Sequence, residues 1–407
     1  MSVLSASDHV VVVGAGLAGW RFCEALRREG YEGQISLIGE EHDPPYDRPP
    51  LSKQVLVGKW GLDHTTLATP ERLAAARVVT HFGVAASALD ADAAAVYLAD
   101  GRVVSGTRVV VATGARARTL AFSAAERIHT LRRRADARRL LDAVAPLSPG
   151  TPVVVIGGGF VGAEVATALH SRGLAPVVLE AAVRPLVAAM GDEVSLWLAG
   201  LAGQFGVELR NDQVITDVTD DDGQLLVSLA DTAVRAPVVL VAAGAEPNVE
   251  WLEGSNLTID NGVVVNEHFE AAPLVAAIGD VARFSWPNVT GVEAIRVEHW
   301  ESANVHAHAL AHEWVTGEAP SAFTIPYFWS DQYGKKIQLL GHPHARDDVT
   351  RVLDDEEAHR FTALYSRDGV VTGVVTLNQP RALMLSKVLL EEPTTLAGAL
   401  ERAPWND

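Results

Sequence analysis

One pattern occurs twice in this chain, and the repeat limits its fold more than any other feature. Residues 10–40 open with the β-branched run Val10 to Val13, followed by Gly14-Ala15-Gly16-Leu17-Ala18-Gly19. Phe22, Ala25 and Leu26 then recur at helical spacing, and a second strand, Ile35 to Ile38, ends at Glu40. Residues 153–180 repeat the arrangement: Val153 to Ile156, then Gly157-Gly158-Gly159-Phe160-Val161-Gly162, a helix over 163–172, and a strand Ala175 to Leu179 ending at Glu180. Strand, glycine turn, helix, strand and acid together make the βαβ unit that binds a dinucleotide. Two copies in matching frame predict an α/β fold with two Rossmann-like dinucleotide-binding domains, and the repetition strengthens both assignments.

Each position has a physical reason. Gly14 permits the tight turn, Gly16 lets backbone approach a pyrophosphate, and Gly19 lets the helix pack close to the strand. The helix N-terminus offers N–H groups and partial positive charge to the phosphates. Glu40 stands where a carboxylate accepts bonds from ribose hydroxyls. Glu180 in the second copy would bond an adenosine 2′-OH and repel a 2′-phosphate, which favours NADH over NADPH. Arg184 argues the other way, since a nearby arginine can accept that phosphate.

The 407 residues suffice for two or three domains. Although 48% of them are hydrophobic, no apolar run reaches the roughly 18 residues of a spanning helix. MSVLSASDH lacks the basic and apolar regions of a secretory signal, so a soluble cytoplasmic protein with no membrane partner is expected. The lone Cys23 excludes an intramolecular disulfide and a four-cysteine metal site, and its place on the first helix reads as a buried structural thiol. A net charge of −18 argues against a nucleic-acid partner. Residues 116–139 run against that balance with eight arginines, a basic patch for an acidic partner or a phosphate, or simply a solvated face.

Between the repeats, HDPPYDRPPLSK (42–53) reads as a proline-stiffened loop carrying Arg48 and Lys53. Strand Arg108 to Val111 runs into Ala112-Thr113-Gly114, and Pro237 to Val241 runs into Ala243-Gly244. Residues 131–145 and 190–205 read as helices. Val275 to Ile278 delivers Gly279-Asp280, and Arg296-Val297-Glu298-His299-Trp300 precedes a helix over about 301–316. From residue 323 the chain changes to aromatic and alternating segments, with strands at 349–353, 361–365 and 370–377 and a helix over about 381–391, a separate α+β domain.

With RPPLSK, Val111-Ala112-Thr113-Gly114, Gly244-Ala245-Glu246-Pro247-Asn248, Ile278-Gly279-Asp280 and Phe328-Trp329-Ser330-Asp331-Gln332-Tyr333 in this order between and after two glycine turns, the chain resembles the FAD- and NADH-dependent ferredoxin reductases of the glutathione-reductase-like superfamily. These feed bacterial cytochrome P450s and aromatic-ring dioxygenases. The resemblance implies a discontinuous FAD domain (1–114 and 244–322), an NADH domain (115–243) and a C-terminal α+β domain (323–407).

By position, the resemblance assigns Gly14, Gly16, Ala18, Gly19 and Glu40 to the FAD adenosine half. It assigns Arg48, Lys53, Thr113 and Gly114 to FAD as well, with Lys53 near the flavin N5, and Gly244 to cofactor binding. Asp280 would take the ribityl chain, and His299 and Trp300 the pyrimidine edge, where the following helix favours negative charge at N1–C2=O. Gly157, Gly159, Phe160, Val161, Gly162 and Glu180 would hold NADH. Glu164 would pair with Lys53 near the nicotinamide, and Trp329 would lie at the flavin edge where electrons leave.

Lys53, Glu164 and Trp329 are thus the candidate catalytic residues. The activity implied is hydride transfer from NADH to FAD, then single electrons to an iron–sulfur ferredoxin, of the 2Fe–2S kind, by a monomer or homodimer. Disulfide reductases of the superfamily carry a cysteine pair near residues 46–56, and this chain has none there. Two alternatives stay open: a flavoenzyme reducing another acceptor directly, and a non-catalytic NADH sensor resembling apoptosis-inducing factor. His306-Ala307, where the family commonly shows Gln-Gly, is the one departure from the pattern.

Overall fold

A run of four valines can be buried on both faces only inside a parallel sheet covered on both sides, and Val10 to Val13 lie there. The computed structural model describes residues 3–284, 294–318, 325–355, 357 and 360–406. The chain clusters into two compact units, Met1–Asp47 with Thr65–Arg116 and Glu246–Pro326, and Arg48–His64 with Ala117–Ala245 and Tyr327–Asp407. The expected domain boundary at 322/323 lies outside the described residues.

In the first unit a six-stranded sheet has the order Glu270–Ala272, Val275–Ala277, Arg108–Val111, His9–Val13, Gln34–Gly39, Val78–Phe82. All neighbours are parallel except the first pair. His9–Val13 is central, with Val10 opposite both Ile35 and Arg108. Helix Leu17–Arg28 follows it directly and packs against helix Trp300–Thr316, where Phe22 meets Trp314 edge-on at 5.5 Å. Cys23 is fully buried in this packing, and burial pushes its thiol up to about 12.

The second unit repeats the arrangement with a four-stranded parallel sheet in the order Glu208–Arg210, Ala175–Leu179, Pro152–Ile156, Val238–Val241. Its glycine helix is Phe160–Ser171. A five-stranded antiparallel sheet occupies residues 327–377, in the order Tyr327–Gln332, Lys335–Gly341, Val370–Leu377, Arg360–Arg367, Asp348–Asp355. Two of its hairpins turn through pairs with positive φ, Tyr333-Gly334 (51°, 70°) and Asp368-Gly369 (50°, 75°). Such pairs match the strand twist, which is why short Xaa-Gly steps fix this register. The fold is thus the α/β architecture expected, two Rossmann-like sheets and a C-terminal antiparallel domain.

Four helix assignments differ from expectation, the first being the glycine helix expected over 163–172, which spans Phe160–Ser171. The helix expected at 131 begins at Arg134, because Asp136 accepts the N–H groups of Arg132 and Arg133 at 3.0 and 2.9 Å and caps the turn there. The helix expected from 190 begins at Val187 and breaks at Gly191 (φ 71°, ψ 173°). The last expected helix divides into Pro380–Ser386 and Val388–Glu391, where the Ser386 hydroxyl donates back to the Ala382 carbonyl. Among the described residues no helix is long and apolar enough to cross a membrane.

Candidate active site

The same geometry is built twice, once in each unit. In the first, the Gly14 N–H donates to the Ile38 carbonyl (2.8 Å) and the Ala112 N–H to the Val13 carbonyl (2.7 Å). In the second, Gly157 N–H donates to Leu179 (2.8 Å) and Ala242 N–H to Ile156 (2.7 Å). Gly14 and Gly157 have φ of 117° and 106°, a region that favours glycine. A Cβ on Gly19 would stand 2.0 Å from the Gly14 carbonyl oxygen, and one on Gly162 1.9 Å from that of Gly157. In contrast, a Cβ on Gly16 or Gly159 would meet nothing within 4 Å. Each turn is therefore clamped at its ends and open in the middle.

The helices that follow, Leu17–Arg28 and Phe160–Ser171, have neither a side-chain cap nor an acidic residue in the first turn. The open glycine and uncapped N–H groups fit the pyrophosphate of a dinucleotide in each unit.

The ends of neighbouring strands gather the other candidates. In the first unit Gly279 abuts Ala18, since a Cβ there would lie 2.8 Å from the Ala18 methyl, so the Gly279-Asp280 turn comes against the glycine turn. Glu40 is exposed just past strand Gln34–Gly39. Thr113 is clasped by Asn248: its hydroxyl donates to the Asn248 carbonyl (2.8 Å) and the Asn248 amide to the Thr113 carbonyl (2.9 Å). Gly114, with φ of 63°, has open space where a Cβ would be. His299 is the half-buried N-cap residue of helix Trp300–Thr316, and the Trp300 indole N–H donates to Asp47 at 2.7 Å. His306 Nδ1 accepts the Gly279 N–H at 3.3 Å; burial among Phe269 and Phe284 pushes its imidazole down to about 4.

In the second unit Glu180 accepts the N–H groups of Gly158 (2.7 Å) and Ala182 (2.8 Å), which fixes its carboxylate beside the glycine turn. A carboxylate has about four acceptor positions, so room for ribose hydroxyls is left. Arg184, the residue that argued for NADPH, is paired with Asp192. Gly244 follows the end of strand Val238–Val241 with a φ of 96°, again open where a Cβ would be. Phe160 and Val161 begin the glycine helix; the Phe160 ring packs against Phe328 at a tilt of 53°, and Val161 is exposed.

Arg48 and Lys53 fall in this unit too. The Arg48 guanidinium donates to the Arg132 carbonyl (2.6 Å). Lys53 Nζ lies 2.7 Å from Glu164 Oε2 and donates to the Pro49 carbonyl at 3.3 Å. Ser52 and Ser330 donate to the two Glu164 oxygens, each at 2.5 Å. Trp329 is half-buried and stacks on Tyr327 at 5.8 Å.

Several of the arginines in 116–139 are taken up internally. Arg116 pairs with Glu246 and Glu250, Arg127 with Asp220, and Arg139 with Asp136, while Arg134 is buried and donates to the Leu62 carbonyl. The sequence assigned no site role to Ser330, Gln332, Asn248 or Asp47, and read Ser52 as the cap of a short helix, whereas its hydroxyl caps neither short helix there and donates to Glu164. All of these stood inside quoted stretches, Asp47 and Ser52 in 42–53, Asn248 in 244–248, Ser330 and Gln332 in 328–333, but nothing in the local pattern told their roles.

The family described as pyridine nucleotide-disulphide oxidoreductase matches residues 8–307, and the one described as reductase C-terminal matches residues 327–401. The chain belongs to the pyridine nucleotide-disulphide oxidoreductase family. It is similar to the ferredoxin reductase component of chlorobenzene dioxygenase from Cupriavidus sp. (strain PS12), at 36% identity over 96% of this chain and 95% of the other. It is also similar to the ferredoxin–NAD(+) reductase subunit of the benzene 1,2-dioxygenase system from Pseudomonas putida, at 33% identity over 96% and 95%. Among solved structures, the covalent putidaredoxin reductase–putidaredoxin complex matches with a TM-score of 0.91 and 31% identity, covering 98% of each chain. The resemblance in the motifs therefore extends along the whole chain.

Proposed function

We propose that this oxidoreductase takes hydride from NADH onto FAD and passes single electrons to an iron–sulfur ferredoxin serving a cytochrome P450 or a ring-hydroxylating dioxygenase. The observation that carries this is the full-length likeness to reductases of that kind in a chain with two open glycine cradles. FAD supplies the redox chemistry, accepting two electrons together and releasing them singly. The chain supplies binding and orientation. With one cysteine, buried on a helix, it has no dithiol to relay electrons, so they leave FAD directly.

The residue roles follow the positional resemblance and fit the geometry. Gly14, Gly16, Ala18, Gly19 and Glu40 hold the FAD adenosine half. Thr113, Gly114, Asp280, His299, Trp300, Arg48 and Lys53 hold the rest, and Gly244 also serves cofactor binding. Gly157, Gly159, Phe160, Val161, Gly162 and Glu180 hold NADH, and Glu180 selects it over NADPH. Glu164 orients the Lys53 ammonium, and Trp329 stands at the electron exit. The domains are 1–114 with 244–322, 115–243, and 323–407. The ferredoxin carries a 2Fe–2S cluster, and the protein works in the cytoplasm as a monomer or homodimer.

Anaerobic stopped-flow tests the proposal. The yellow protein is mixed with NADH or NADPH, then with a 2Fe–2S ferredoxin. Fast bleaching by NADH and fast recovery on adding the ferredoxin are expected. A protein without flavin, or one that stays reduced with every ferredoxin offered, overturns it.

A further inference from the structure

Strand Tyr327–Gln332 presents alternate side chains to opposite faces. Phe328, Ser330 and Gln332 lie on one, and that face meets helix Phe160–Ser171 along a single stripe of the helix. Phe328 packs on Phe160 with ring centroids 4.3 Å apart, Ser330 Oγ donates to Glu164 Oε1 at 2.5 Å, and the Tyr333 N–H donates to Thr167 Oγ1 at 2.8 Å. Positions 160, 164 and 167 are neighbours on one helix face. The Gln332 side-chain amide donates to Ser330 Oγ at 3.0 Å. A hydroxyl that accepts from Gln332 has its own proton left for Glu164, so its direction is set.

The Glu164 carboxylate sits at the end of a flexible chain. Oε2 takes Lys53 and Ser52, while Oε1 takes Ser330. Without a donor on Oε1 the group could rotate about its last bond and let Lys53 wander between oxygens. Water is poorly placed to substitute, because Ser330, Gln332, Ser52 and Glu164 are all buried. We propose that Ser330, set by Gln332, is a positioning residue that fixes the Glu164 carboxylate and, through it, the Lys53 ammonium. Its consequence for catalysis rests on the function proposed above; the placement itself does not.

The test is amine labelling of the purified protein, with Lys53 modification followed by peptide mass spectrometry. In Ser330→Ala, Lys53 should label about tenfold faster than in the wild type, the worth of one hydrogen bond to a charged group. Ser330→Thr keeps the hydroxyl and should restore the wild-type rate. Thr376→Val removes another buried hydroxyl from the same sheet at constant volume and should leave Lys53 unchanged. In parallel, flavin reduction by NADH should slow about tenfold in Ser330→Ala with KM within about twofold, and recover in Ser330→Thr. Unchanged Lys53 labelling in Ser330→Ala, or equal acceleration in Thr376→Val, overturns the proposal. A protein without flavin would defeat the functional proposal while the labelling still decides the role of Ser330.

Discussion

Gly16 and Gly19 sit three residues apart in one turn, and a single added methyl should separate the two purposes that turn serves. At Gly16 the backbone (φ −86°, ψ −164°) is one that any residue adopts, and a Cβ meets nothing within 4 Å. Gly16→Ala should therefore change folding stability by less than about 1 kcal/mol, the gain in unfolded-chain entropy roughly offsetting the poorer cap. At Gly19 the Cβ would lie 2.0 Å from a backbone oxygen, so helix and strand must part by more than about 1 Å. The obstructing atom is main chain, and Gly14 is itself wedged against Ala112. Relief is poor, and Gly19→Ala should cost about 3 kcal/mol or more, the upper end of overpacking.

Ligand binding should sort the pair differently. On the function proposed above, the methyl at Gly16 would project where backbone N–H groups meet a pyrophosphate. Losing one charge-assisted bond, about 1.5–3 kcal/mol, should weaken FAD binding about 10- to 150-fold. Guanidinium denaturation of the flavin-free chain reads the first effect, and quenching of flavin fluorescence on titration reads the second. If Gly16→Ala lost as much stability as Gly19→Ala, or held FAD with wild-type affinity, the division between clamp and cradle would be wrong. Gly159 and Gly162 form the same kind of pair in the second unit, where a Cβ on Gly162 would stand 1.9 Å from the Gly157 carbonyl oxygen and one on Gly159 would meet nothing within 4 Å.

Two other perturbations read buried charge. His306 is held neutral down to about pH 4 by burial, whereas an unfolded chain protonates it near 6.5. The unfolded state thus binds more protons within that window, so stability should fall as pH drops through it, by about 3 kcal/mol at its lower end. His306→Gln should flatten that slope in pH-dependent denaturation, and an unaltered slope would refute the assignment. Glu164→Leu strands the Lys53 ammonium, whose side chain is 13% exposed, and should cost about 3–5 kcal/mol. The double variant with Lys53→Met should cost less than the single; additive losses in a double-mutant cycle would show that the pair is not coupled.

The parts of the molecule written in local pattern were legible in the sequence. Valine runs ending in glycine announced the central strands, and the matched acids at 40 and 180 closed both βαβ frames. The Lys53 and Glu164 side chains, named as partners from the family's motifs, do meet at 2.7 Å. The donors around them were not legible. A serine or glutamine looks the same in a loop as beside a buried carboxylate, and Ser52, Ser330 and Gln332 gain meaning only once the fold brings distant segments together. Asp47 under the Trp300 indole and Asn248 around Thr113 are of the same kind. His306 was visible as a departure from the family, but only the structure shows its ring accepting the Gly279 N–H.

The two family matches part between residues 307 and 327, as though the C-terminal module could be exchanged there. The contacts of strand Tyr327–Gln332 do not respect that seam. A module taken from a relative would have to bring its own aromatic for Phe160, its own hydroxyl for Glu164 and a free N–H for Thr167, in register. Chimeras joined at the seam should therefore work only when the recipient helix and the donor strand come from the same parent. The smallest heritable piece of this reductase's C-terminal module includes a helix that precedes it by more than a hundred residues.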